Sequence, residues 1–131
     1  MNNQSKKNRD LKRAMKAERD AFVAANRCCI PGCERSAQDC HEIPRGAARG
    51  GSRENGAYAD RRAWLAACRV HHGVLGDYSR YPLEVQYCLK VLQDFEYYDR
   101  ARLNELRGRA PDSIDEKQVL ACVVEMLART G

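Results

Sequence analysis

The chain has 131 residues and a mass of 14.9 kDa, enough for one domain with a modest core whose stability a bound metal would raise noticeably. Residues 1–20 hold no apolar segment of the kind a signal peptide requires, and no later stretch approaches a membrane span, which argues against membrane functions and predicts a cytoplasmic protein. In that reducing compartment an odd count of seven cysteines predicts thiolate metal ligands and buried free thiols rather than a disulfide framework.

The net charge of +5 is concentrated at one end. Residues 1–27 carry eight Lys or Arg against three acidic residues, and the remaining 15 basic and 15 acidic residues cancel. The spacing of Leu11, Met15 and Phe22 predicts a helix over residues 8–25 that stops near Asn26. Its charges are those of a solvated helix face, or of an arm for a polyanion such as DNA, because each phosphate contact releases counterions. On the second reading Lys6, Lys7, Lys12, Arg13 and Lys16 are the contacting residues.

All three histidines and five of the seven cysteines fall between Cys28 and His72. Cys28 or Cys29 with Cys33, and Cys68 with His71, form two close pairs about 40 residues apart, the usual arrangement for a tetrahedral structural zinc. Pro31-Gly32 predicts the tight turn that folds the first pair toward one ion, which favours Cys28. A rival set uses Cys40 in place of His71. Residues 36–43 are expected to form one arm of a hairpin, and residues 61–67 the second, delivering Cys68 to the zinc. The loop between them supplies Arg45, Arg49 and Arg53, with Arg61 and Arg62 following, beside glycines that would let the backbone approach a phosphate. A helix is expected from about Arg69. Successive helical residues point about 100° apart, so if His71 closes the zinc site His72 faces a different space, where His41 could meet it. Two imidazoles and a carboxylate around an open position can hold a divalent ion against a scissile phosphate, and a neutral histidine can activate water.

Beyond Tyr81-Pro82 the pattern is helical: Val85, Cys88, Leu89 and Leu92 share a face, Leu103 and Leu106 mark a second helix ended by Gly108, and Ser113-x-x-Glu116 reads as a capping box opening a third. The third helix is expected to bury Val119, Leu120, Val123, Val124 and Leu127. These divisions give a basic N-terminal helix (1–26), a metal module (27–80) and a helical extension of the same domain (81–131).

The run CCIPGCERSAQDCHEIPRGAARGG followed by WLAACRVHHGVLGD resembles the zinc-containing HNH endonucleases of the ββα-metal type, in the form carried by small phage proteins of recombination or DNA packaging. The resemblance covers about residues 27–78. It implies an α+β fold with a zinc-braced treble-clef ββα core, preceded by the basic helix and covered by about three C-terminal helices. It further implies Cys28, Cys33, Cys68 and His71 as ligands of one structural zinc, His72 as the helix ligand of a catalytic Mg, Mn or Ni ion, and His41 with Glu42 as the catalytic hairpin pair. The family usually carries an asparagine five residues before Cys68, where this chain has Ala63. The implied function is metal-dependent DNA cleavage or nicking with low sequence specificity in phage DNA metabolism. The alternative is a catalytically silent zinc protein that binds DNA in recombination or replication. Implied partners are DNA, a second copy of the chain and phage or host DNA-processing proteins, with no membrane.

Overall fold

The computed structural model describes residues 3–43, 56–107 and 114–130. In chain order they form α1 (Asn3–Ala24), β1 (Asp39–Glu42), β2 (Trp64–Ala67), α2 (Arg69–Leu75), α3 (Leu83–Gln93), α4 (Arg100–Arg107) and α5 (Glu116–Thr130), with 3-10 turns at Ala57–Ala59, Arg61–Ala63 and Phe95–Tyr97. The architecture is α+β: among the described residues there are five helices and an antiparallel two-stranded sheet, on which α1, α2 and α3 pack. No described helix is long and apolar enough to cross a membrane.

Helix α1 starts earlier than its apolar spacing predicts and ends at Ala24, where the Asn26 amide donates to the Phe22 carbonyl at 2.8 Å. Leu11, Met15, Arg19 and Phe22 form its inward row. Phe22 packs on Trp64 with ring centroids 5.8 Å apart. Arg19, one turn earlier, clamps the helix to the sheet. Its guanidinium donates to the Tyr58 carbonyl at 3.1 Å and the Cys40 carbonyl at 3.3 Å, and lies 4.1 Å over the Tyr58 ring.

The strands pair in the register Asp39↔Ala67, Cys40↔Ala66, His41↔Leu65 and Glu42↔Trp64. The expected second arm is shorter than residues 61–67, because Asp60 accepts from the Arg62 N–H at 3.0 Å and winds Arg61–Ala63 into a 3-10 turn first. Every residue of β2 is buried, since α1, α2 and α3 all pack against it. A two-stranded sheet leaves backbone groups of its inner strand in need of partners. Gln93 at the end of α3 meets part of that need: Ala66 N–H donates to its Oε1 at 2.8 Å, and its Nε2 donates to the Ala66 carbonyl at 2.9 Å.

Helix α3 buries five consecutive residues, Gln86 to Lys90, two of them polar. The Lys90 ammonium is satisfied by the carbonyls of Arg61 and Trp64, each at 2.8 Å, and by Asp94 at 2.7 Å. Helix α5 packs chiefly on α3, and it does so with a narrower face than expected. Val119 is buried and Val123 and Met126 are half-buried, whereas Leu120, Val124 and Leu127 of the predicted stripe are exposed. Its start also differs from the Ser113/Glu116 expectation. Ser113 and Gly108 lie outside the described residues; the reciprocal capping pair is Asp115 and Gln118, each accepting from the other's backbone N–H at 2.9 and 2.8 Å.

Candidate metal and catalytic site

The knuckle after α1 is built by a turn in which Cys33 N–H donates to the Ile30 carbonyl at 3.0 Å. Pro31 and Gly32 occupy its two central positions, and Gly32 has a φ of +86°, the left-handed backbone that a type II turn needs there. The turn brings Cys33 back beside Cys28. From the other end of the module, Cys68 sits immediately before α2 and caps it, and His71 lies one turn in. His71 Nδ1 is 3.2 Å from Cys68 Sγ and 3.4 Å from Cys28 Sγ. The ligand atoms of Cys28, Cys33, Cys68 and His71 all lie within 4.8 Å of one another, so the four could bind one metal ion. Cys29 and Cys40 are not in this group among the described residues. Cys29 is buried in the core beside the cluster, and Cys40 projects from the far face of β1, where burial pushes its thiol up to about 12.

The cluster favours thiolate where it meets the helix. The backbone N–H of His71, at the N-terminus of α2, brings the Cys68 thiol down to about 6 against the effect of burial, with the His71 side chain reinforcing it. Burial moves Cys28 the other way.

A second group lies between β1 and α2. Strand side chains alternate, so Asp39 and His41 share one face while Cys40 and Glu42 share the other. On the first face His41 meets His72 of α2, their rings edge-to-face with centroids 5.5 Å apart. His72 Nδ1 is 3.3 Å from Asp39. Asp39 also takes the exposed Arg69 guanidinium at 3.2 Å, and that hydrogen bond, with His72 beside it, holds its carboxyl below the usual range despite burial. His41 is buried, and its Nε2 lies 2.7 Å from Gln86 Oε1. Burial lowers its pKa to about 4, opposed by the Gln86 hydrogen bond and reinforced by His72. The imidazole is therefore neutral at neutral pH, the form that can accept a proton.

The structure thus brings His41 and His72 together and leaves Glu42 apart. Glu42 faces α1, where Arg19 lies 3.5 Å away; burial raises its carboxyl and Arg19 opposes the rise. The regular register of β1 is the reason, since neighbouring residues cannot share a face. Arg61 and Arg62, both half-buried, are likewise engaged by carboxylates of the protein itself. Arg61 makes a two-pronged pair with Asp94 at 2.9 and 3.1 Å and stacks 4.0 Å over Tyr97, while Arg62 pairs with Asp60 at 2.8 Å. Lys6, Lys7, Lys12, Arg13 and Lys16 are exposed on α1, with Lys16 paired to Asp20. Arg45, Arg49 and Arg53 lie outside the described residues. Sequence reasoning missed Asp39, Arg69 and Gln86. The two-residue strand period from His41 points to Asp39; no local signal points to Gln86.

The burial of His41 has a consequence for stability. Unfolded, it takes up a proton near its ordinary value of 6.5; folded, only near about 4. The unfolded state therefore binds more protons between these values, so the contribution is fully present above about pH 6.5 and is lost as pH falls toward about 4, by up to about 3 kcal/mol. Urea unfolding at pH 7 and pH 5 should show a larger loss for wild type than for His41→Gln, by about 2 kcal/mol. Equal losses would mean that His41 is not held neutral.

No family model, no curated protein and no solved structure matches this chain.

Proposed function

We propose that the chain is a zinc-braced, metal-dependent DNA endonuclease or nickase of HNH type, with a treble-clef ββα core over residues 27–78. The observation that carries this reading is the His41–His72 pair with Asp39, which stands outside a Cys3His donor set that could bind one metal ion. The donors suit zinc: three sulfurs and one imidazole nitrogen are a common structural set, and tetrahedral bond lengths place S and N about 3.5 Å apart, near the separations found at His71. The His72 imidazole and the Asp39 carboxylate are the donors for a catalytic Mg, Mn or Ni ion, with His41 beside them keeping its lone pair free. Such an ion, when bound, supplies charge that polarises a phosphodiester and stabilises the leaving oxygen. His41 is the group that takes the proton from the attacking water, whose oxygen then bonds to phosphorus as one P–O ester bond breaks. Arg69 stands exposed beside Asp39, where it can meet a phosphate.

One observation favours a second reading, a zinc-stabilised DNA binder without chemistry. Ala63, where the family usually has asparagine, is fully buried and offers no polar side chain. Incubating plasmid with the zinc-loaded protein and Mg²⁺, Mn²⁺ or Ni²⁺ decides between them. The nuclease reading expects nicked or linear DNA, abolished by chelation at a level that spares zinc. Binding without cleavage in any of these ions overturns it in favour of the silent binder.

DNA affinity should fall steeply with salt. Substituting Lys6, Lys7, Lys12 and Arg13 with Gln should flatten the slope of log K against log salt by about 0.9 for each phosphate contact removed. Substitution is the better test than deleting residues 1–20, which would remove the Arg19 clamp as well. An unchanged slope would take DNA contact away from α1.

A further inference from the structure

Gln86 lies on α3, outside the HNH-like module, and is fully buried. Its Nε2 donates to two backbone carbonyls, Leu75 at the end of α2 and Tyr81 before α3, both at 2.9 Å. Carbonyl oxygens only accept, so the amide can stand only one way round, with Oε1 toward His41 Nε2 at 2.7 Å. An amide oxygen cannot donate; the hydrogen in that bond belongs to His41 Nε2. A neutral imidazole carries one N–H, which leaves the lone pair on Nδ1. Among the described residues Nδ1 has no hydrogen-bond partner, and no buried side-chain nitrogen or oxygen lacks one, so Nδ1 reaches solvent.

We infer that Gln86 is a positioning residue that locks His41 in its Nε2–H tautomer and turns the basic Nδ1 outward to the reacting water. The inference rests on the reading of His41 as the proton acceptor. It gives α3 a part in the site beyond covering the core, because the same amide ties the end of α2, the loop before α3 and the imidazole into one unit. The lock is made of neutral groups, with both polar atoms of the Gln86 amide and His41 Nε2 partnered, so it needs no metal to form.

The tautomer can be read directly. Long-range ¹H–¹⁵N spectra of zinc-loaded protein near neutral pH, with His41 assigned by comparison with His41→Gln, should show a pyridine-type Nδ1 and a pyrrole-type Nε2. Gln86→Met keeps the bulk but removes the acceptor. It should give His41 a mixture of tautomers, and kcat for plasmid nicking should fall about 10- to 100-fold with KM within about two-fold and zinc content unchanged. A wild-type His41 protonated at Nδ1 overturns the proposal, whether or not Gln86→Met folds. So does a folded Gln86→Met with the tautomer and kcat of wild type. If the wild type cuts no DNA, the nuclease reading fails on its own, and the spectra still decide whether Gln86 sets the tautomer.

Discussion

Cys68→Ser is expected to unfold the domain. Cys68 serves twice, as one of four clustered residues that could bind a metal ion and as the residue whose sulfur accepts from the His71 N–H at the start of α2. Its loss leaves three ligands and removes the cap together. Structural zinc in small domains contributes about 10–16 kcal/mol of apparent binding energy, which is folding energy when the site forms only in the folded state. A domain of this size has about 5–15 kcal/mol of total stability, so the loss leaves nothing to hold the core. Cys33→Ser should behave in the same way. Cys88→Ser and Cys122→Ser should leave metal content unchanged, since both thiols lie between α3 and α5, where Cys88 contacts Met126. Elemental analysis and circular dichroism on the four variants check the set. A wild type that is folded and free of metal would contradict it.

His41→Ala is expected to lower the cleavage rate about 10²- to 10⁴-fold, the usual contribution of a positioned general base. Zinc and DNA binding should persist, because His41 touches neither the Cys3His cluster nor the exposed basic face of α1. The substitution leaves Gln86 Oε1 without its partner, which costs about 1–3 kcal/mol of stability, less than a structural zinc would supply. His72→Ala should instead raise the divalent-ion concentration needed for activity. Glu42→Gln separates the two faces of β1. Its side chain faces Arg19, so the variant should cleave as wild type does while losing some thermal stability. A Glu42→Gln variant with no activity would place the chemistry on the α1 side of the strand.

Features that depend on local spacing were legible in the sequence. The two ligand pairs, the Pro31-Gly32 turn and the start of α2 at Arg69 each follow from residues within one turn of one another. The meeting of His41 and His72 was also readable, because a helix turns by about 100° per residue and so separates His71 from His72. Choosing the carboxylate beside them required the strand register, and that favours Asp39 over Glu42. What was not legible depends on distant parts of the chain. Gln86 and Lys90 look like surface residues of an amphipathic helix, yet both are fully buried, because α3 is covered on several sides and their partners come from α2, β1, β2 and the turn before β2. Arg61 and Arg62 look like phosphate clamps by composition, yet Asp94 and Asp60 neutralise them. The apolar residues of α5 were visible, but which of them face α3 is set by the angle of packing.

The decisive quantity is whether a second ion binds at the histidine pair. Titrating zinc-loaded protein with Mn²⁺ while following the three imidazoles by NMR should broaden His41 and His72 well before the signals of α5, and His72→Ala should weaken that effect about ten-fold or more. Uniform broadening, or none at His41 and His72 at Mn²⁺ concentrations that saturate known Mn²⁺ nucleases, would mean that the chain holds a structural metal alone and does not cut DNA by this chemistry.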